Sequence, residues 1–455
     1  MTLRLSHSRW LAIILLLALF LRTTDLDGKS FWLDEAYSVT RIVPTLERVD
    51  SNHPPLYYTA LYYWTDAFGQ DEGAARLLSA LVSTVSVALL YLLARQLFRR
   101  EVALLAAGLL ALSPLNLWYA QEARMYAPLA FLALLMALGL AWRHWSGFLL
   151  YLVGLSLGLY VSYLTFPLWI GLSVLWLVLW WQRGRRPAAL LLWVAASAAG
   201  WWLYRPWWPH FETWLDGALL RHWIFWPVRD LLGLEAFALW HFMLALAIAA
   251  AGLLVAAAAA PTFLRKRRWR QALTVPALLG YGAFLLLMLV PRLYGLKRVL
   301  VAGWPFVILA VAWLLWQLER WRRPALGTLL SLSLIVSLAT LFLAPKDDWR
   351  GASAYLQQHL GENDVVWVDP RWNTIPLEYY GLVEQVESES TAELEALAAS
   401  HDEILLVAER FPGAPVPSSP SERWLNANGQ LLETQQFYRL EVRRYAPEGA
   451  GDPDS

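Results

Sequence analysis

The stretch Tyr163-Leu-Thr-Phe-Pro167 decides the topology of this chain, because it separates two apolar runs at 147–163 and 165–182. Taken as a tight external turn, it ends one membrane helix and begins the next. Taken as helix, it fuses the two and reverses the polarity of everything downstream. Working outward from it, further apolar segments lie at about 74–96, 101–118, 125–142, 187–204, 236–260, 271–290, 298–318 and 325–343, and Trp10–Leu21 opens the chain. With the turn in place there are about eleven, and the loop charges favour that count. Arg95, Arg99 and Arg100, then Arg143, then Arg183, Arg185 and Arg186, then the basic run 265–270, then Arg320, Arg322 and Arg323 all fall on one side. Cationic loops mark the cytoplasmic side, so the C-terminus is expected outside. Residues Trp10–Leu21 are short for a span and follow Arg4, His7 and Arg9, a pattern shared with signal peptides. No small-residue cleavage site follows, so an uncleaved first helix is expected. In either case Asp34 emerges on the side opposite the N-terminus.

Composition agrees. Of 455 residues, 58% are hydrophobic and 16% charged, and the mean hydropathy is +0.41, which excludes an ordinary soluble globule and a disordered chain. The 28 tryptophans suit many helix ends meeting a headgroup layer. A net charge of +1 says nothing about partners, and no nucleic-acid partner is expected. The 36 acidic residues divide as nine in 1–73, seven in 74–343 and twenty in 344–455. A membrane domain over 1–343, with an external loop at 22–73, is therefore followed by a water-facing domain over 344–455. There, Asp347–Leu360 and Thr391–Ser400 read as helices, and Val365–Val368, Ile404–Ala408 and Gln435–Tyr445 as strands, which makes a small α/β domain with a disordered tail. With no cysteine, disulfides and thiolate metal sites are excluded, and any bound metal must use His, carboxylate or water oxygen.

Three external sites carry candidate chemistry. Phe31-Trp-Leu-Asp-Glu-Ala-Tyr-Ser38 places adjacent carboxylates, Asp34 and Glu35, at the membrane surface. A carboxylate there takes a proton from a sugar hydroxyl or holds a metal; the plainer reading makes Asp34 a helix N-cap. Trp118-Tyr-Ala-Gln-Glu-Ala-Arg-Met-Tyr126 is a short connection in which Glu122 is one of the seven acids of the middle region. Either Glu122 and Arg124 form a local pair, or Glu122 joins Asp34 in one outward-facing cavity. Pro291-Arg-Leu-Tyr-Gly-Leu-Lys-Arg298 is an external basic cluster against the positive-inside trend. An anionic phosphate at the outer leaflet would explain it, and so would interfacial snorkelling. Ser51-Asn-His-Pro-Pro-Leu-Tyr-Tyr58 holds His53 at a defined depth through its paired prolines. The aromatic stretch 204–226 reads as an interfacial belt or as a platform for sugar rings or a polyprenyl tail.

In order along the chain, Trp32-Leu-Asp-Glu-Ala, His53-Pro-Pro-Leu-Tyr-Tyr, Arg76-Leu-Leu-Ser, Tyr119-Ala-Gln-Glu-Ala-Arg-Met-Tyr126, a Lys-Arg entering a late helix, and Asp347-Asp-Trp-Arg-Gly-Ala-Ser-Ala-Tyr-Leu resemble glycosyltransferase family 39. These are GT-C-fold relatives of protein O-mannosyltransferases and aminoarabinose transferases, and the resemblance runs over essentially the whole chain. It implies that Asp34 acts on the acceptor hydroxyl with Glu35 completing the pair, that Glu122 is the second-loop acid, and that Arg298 holds the donor phosphate. Val299 stands where an aromatic is usual. Lys297 and Arg124 join the phosphate candidates, and His53, Tyr57 and Tyr126 are further cavity candidates. Glu122 and His53 would be the ligands of a divalent cation, to which the sequence does not commit. The function expected is transfer of a sugar from a polyprenyl-phosphate donor to a lipid, glycan or protein acceptor outside the cytoplasmic membrane. The rivals are a polyprenyl-linked glycan polymerase or ligase, and a transporter or lipid flippase. Transporters show internal repeats and helices broken at midplane; no repeat is visible here, and the ionisable residues gather at external ends.

Overall fold

The computed structural model describes residues 7–41, 53–142, 144–182, 186–220, 298, 300–318, 322–382, 386–387, 391–410 and 419–447. The apolar segments expected at 236–260 and 271–290, and Lys297, lie outside the described residues. The chain divides into two compact units. One comprises Met1–Thr24, Val43–Trp64 and Arg76–Ala344, and the other Asp25–Ile42, Thr65–Ala75 and Pro345–Ser455. The Asp34 stretch thus groups with the C-terminal residues rather than with the helices on either side of it in sequence.

In chain order the helices are α1 (His7–Thr23), α2 (Leu33–Thr40), α3 (Pro55–Phe68), α4 (Glu72–Leu97), α5 (Arg100–Ala111), α6 (Pro114–Ala120), α7 (Tyr126–Ala141), α8 (Ser146–Val161), α9 (Thr165–Gln182), α10 (Pro187–Tyr204), α11 (Trp208–Leu220), α12 (Trp304–Trp316) and α13 (Arg322–Phe342). Among the described residues, α4, the stretch Pro187–Trp214 and α13 are long and apolar enough to cross a membrane, and α5 with α6 make a fourth if that bent pair is one span. Helices α7, α8, α9 and α12 are shorter apolar helices.

The chain does turn at 162–164. Ser162 is extended, and the Thr165 hydroxyl donates to Gly158 O at 2.6 Å, so α8 ends where α9 begins. Helices α7 and α8 approach closely through small residues: a Cβ at Gly139 would lie 2.5 Å from Tyr151 N, and one at Gly147 2.5 Å from Gly139 O. Such contacts suit helices that gain little from hydrophobic association in lipid.

In the helical unit two expectations change. The run 101–118, read as one helix, is broken by a 55° bend between α5 and α6. Pro114 has no amide to continue the ladder, and Ser113 restarts the helix by accepting from Asn116 N at 3.4 Å. The stretch after Tyr204, read as loop, continues through a single 3-10 turn into α11. Its aromatic rings pack on one another: Trp207 stacks on His210 at 4.1 Å and Phe166 on Phe211 at 4.4 Å, and Tyr204 and Trp207 are buried.

The second unit contains α14 (Trp349–His359), α15 (Thr374–Tyr379), α16 (Thr391–Ala398) and α17 (Pro420–Asn428), with β1 (Val365–Asp369), β2 (Val386–Glu387), β3 (Ile404–Glu409), β4 (Gly429–Phe437) and β5 (Leu440–Pro447). The strands form one sheet in the order β2-β1-β3-β5-β4. Strand β1 pairs in parallel with β2 and β3, while β5 is antiparallel to both β3 and β4. The central strands β1 and β3 are almost entirely buried apolar residues, the pattern of strands covered on both faces. Gln435–Tyr445, read as one strand, is instead a hairpin that reverses at Tyr438-Arg439, with Arg439 at φ 62°.

Candidate active site

In the helical unit the site is built at the α6–α7 connection. This turn carries Gln121, Glu122, Arg124 and Met125, and it is held from both sides. The Gln121 amide donates to Thr24 O at 2.7 Å and toward Leu21 O and Arg22 O at 3.5 and 3.4 Å, the last turn of α1. Ser79 of α4 donates to Arg124 O at 3.4 Å and bonds the Tyr57 hydroxyl at 3.1 Å. Tyr58 donates to Met125 Sδ at 3.4 Å. Arg124 Nη2 lies 3.4 Å from His53 Nε2, and its guanidinium sits over the Tyr58 ring, 5.6 Å from the centroid. Pro55 starts α3, as suits a residue preorganised for the first helical position, and Tyr57 and Tyr58 follow in its first turn.

Glu122 is fully buried and Arg124 nearly so, while Arg298 is half-buried. The Tyr119 hydroxyl lies within electrostatic reach of both Glu122 and Arg298, and the Tyr119 and Tyr126 rings touch at 4.8 Å. Of the residues nominated from sequence, this unit therefore gathers Glu122, Arg124, Arg298, His53, Tyr57 and Tyr126. An acid and an arginine buried in a largely apolar helical unit, with a second arginine half-buried beside them, are costly unless they serve a cavity or a partner.

The second unit holds Asp34 and Glu35 in the first turn of α2, and the two differ. Asp34 is half-buried, whereas Glu35 is fully buried with its carboxylate 3.0 Å from Lys346 Nζ. Asp34 does not cap α2; that position is Trp32, which makes no side-chain cap bond. Asp34 and Asp347 both act on Glu409 at the end of β3. Burial first, then Asp347 and Asp34, push the Glu409 carboxyl above the usual glutamate range, against opposing effects of Arg439 and Asn373.

A carboxyl raised in the folded state favours folding below its ordinary range and loses that contribution as pH rises through the folded value. Glu409→Gln is therefore expected to raise the melting temperature at neutral pH and to have little effect in acid. Equal stability of the two proteins from pH 4 to pH 8 would contradict this placement.

Sequence reasoning missed Lys346, which paired its helix partner across 311 positions, and Tyr380, whose hydroxyl accepts from Phe31 N at 2.8 Å and donates to Glu72 at 2.7 Å. Burial and the Glu72 carboxylate push the Tyr380 phenol far above its usual range, so it stays a donor. For Lys346 one signal existed: a lysine just beyond the last apolar segment. Among the described residues, no three His, Asp or Glu side chains gather as metal ligands. Glu122 and His53, the candidate ligands read from the sequence, both lie in the helical unit.

The fold resembles that of helical membrane enzymes of the GT-C type. Residues 52–210 match the family of dolichyl-phosphate-mannose-protein mannosyltransferases, and the resemblance read from the sequence holds. The fold is similar to oligosaccharyltransferase AglB from Archaeoglobus fulgidus, solved with an inhibitory peptide and a dolichol-phosphate (12% identity, TM-score 0.53, covering 88% of this chain and 69% of that one). The same organism's oligosaccharyltransferase in complex with Zn and sulfate is similar too (14% identity, TM-score 0.52, 87% and 67% coverage). ArnT from Cupriavidus metallidurans in the apo state matches over almost its full length (15% identity, TM-score 0.50, 98% and 99% coverage). No curated protein sequence matches significantly.

Proposed function

We propose that the protein transfers a sugar from a polyprenyl-phosphate donor to a hydroxyl-bearing acceptor at the outer face of the cytoplasmic membrane. About eleven spans carry the catalytic core, and the C-terminal unit lies outside. The observation that carries this reading is the grouping of charges at the α6–α7 turn, the buried Glu122 and Arg124 with the half-buried Arg298, inside a largely apolar unit. A lipid phosphate is an anion that guanidinium groups bind bidentately, and the dolichol-phosphate bound by the archaeal relative supports a donor of that class.

In the proposed reaction the acceptor oxygen attacks the anomeric carbon as its proton passes to Asp34. The bond from that carbon to the phosphate oxygen breaks with inversion, and the departing phosphate keeps the electron pair. Arg298, with Lys297 and Arg124, meets the charge that grows there. Glu122 and His53 orient this region, with Tyr57 and Tyr126 as its walls. The test is purified protein in lipid nanodiscs with a panel of polyprenyl-phosphate sugars, following release of prenyl phosphate. At least one donor should turn over, and Arg298→Ala should weaken its binding about tenfold to a hundredfold. Arg298→Lys should recover part, because the planar fork is lost. Release from no donor would count against the function; equal donor affinity in all three proteins would remove Arg298 from the site.

A further inference from the structure

We propose that Lys346 is a positioning residue for Asp34: by pairing with Glu35 it fixes the rotation of the helix that carries the base. This rests on the assignment of Asp34 above. Helix α2 has eight residues and no side-chain cap, too short to hold itself, so its orientation must come from tertiary contacts. Those contacts come from residues 346–380 of the same unit. Arg350 Nη2 donates to Asp27 O at 2.8 Å, Ser30 Oγ to Asp347 O at 2.5 Å and Phe31 N to the Tyr380 hydroxyl at 2.8 Å. At the other end of α2, Arg41 pairs with Glu378.

These hold the flanks. Within α2 itself, Glu35 Oε2 meets Lys346 Nζ at 3.0 Å, with the glutamate side chain 0% and the lysine side chain 4% exposed. Adjacent helical residues project about 100° apart, so pinning Glu35 determines where Asp34 points. A buried ion pair is a poor source of stability compared with apolar residues of similar size, and its best-attested use is to fix registry. The pairing also explains the contrast between neighbours: Glu35 is consumed by the lock while Asp34 remains half-buried and reachable.

The experiment compares Lys346→Met, Lys346→Arg and the double variant Glu35→Leu/Lys346→Met with wild type in nanodiscs. It records kcat, donor KM, melting temperature and amide hydrogen exchange over 33–40. Lys346→Met should lower kcat about a hundredfold, the scale of an ångström of misplacement, with donor KM nearly unchanged and faster exchange over 33–40. Lys346→Arg should retain most of the turnover. The double variant should regain the melting temperature but not kcat, because apolar packing restores the fold without the directional bond. Recovery of kcat together with melting temperature would reduce the pair to a structural role. Unchanged exchange over 33–40 in Lys346→Met would refute the lock whatever the activity. Full turnover in Asp34→Asn would instead overturn the assignment of the base, and with it the purpose of the lock, while the exchange data still report whether Lys346 holds α2.

Discussion

Asp34→Asn should lower turnover by about two to four orders of magnitude, the loss expected when general-base assistance disappears, while donor binding persists. The amide keeps the shape of the carboxylate and adds no repulsion near a phosphate. Asp34 lies in the first turn of α2. It is half-buried, and its neighbour Glu35 is sealed against Lys346, so Asp34 is the more exposed member of the pair. Glu35→Gln should act differently: it leaves the Lys346 cation buried without its counter-charge, which costs stability and lowers kcat through misplacement. The decisive comparison is donor affinity and turnover measured on both variants. Near-normal turnover in Asp34→Asn alongside a dead, well-folded Glu35→Gln would transfer the role of base to Glu35.

What could be read from the sequence follows from the range of each interaction. The apolar segments are local patterns, so α4, α7, α8, α9, α10 and α13 lie close to where hydropathy places them. Tyr163-Leu-Thr-Phe-Pro167 interrupts the run because Ser162 and Thr165 bond their own neighbourhood. The bend at 112–113 had a local sign, Ser113-Pro114, but it stood inside an unbroken apolar run that outweighed it. The β4–β5 hairpin was hidden in the same way: the alternation of apolar and polar residues passes through Tyr438-Arg439, and a left-handed arginine leaves no mark in such a pattern. The partners of the functional residues were not legible at all. Glu35 and Asp34 are adjacent in sequence and read as a pair, yet the ion partner of Glu35 is Lys346 and Phe31 N donates to the Tyr380 hydroxyl. Nothing in the local composition of 25–41 says that it groups with Pro345–Ser455.

Arg22→Met should be strongly destabilising to the helical unit, and it should impair the α6–α7 turn as it does so. Arg22 is fully buried. Its Nε donates to Ser83 Oγ at 2.9 Å, Nη1 to Ala18 O at 3.2 Å and Ala111 O at 3.1 Å, and Nη2 to Leu110 O at 3.1 Å. The bend removes one helical partner at the end of α5, since the amide that would serve Leu110 O belongs to residue 114 and Pro114 has none; Ser113 N donates to Leu110 O at 3.2 Å instead, and Arg22 adds a donor there and reaches Ala111 O as well. The neighbouring groups are served from elsewhere, with Ser337 Oγ donating to Leu112 O at 2.8 Å and Trp304 Nε1 to Ser113 Oγ at 3.0 Å. In an apolar surround no water replaces a lost donor, and each buried acceptor left bare costs about 1–3 kcal/mol. Arg22→Lys should be intermediate, since one ammonium cannot span the acceptors reached by the guanidinium fork. Ser337→Ala removes a single donor and should cost less than either. Because Gln121 binds back to the end of α1, loosening this joint also frees the segment carrying Glu122 and Arg124, so donor affinity should fall along with the melting temperature. Thermal unfolding in detergent tests the first part and donor titration the second. An Arg22→Met protein that melts with wild type would show that the bend holds without its arginine. One that melts early but binds donor normally would separate the joint from the site.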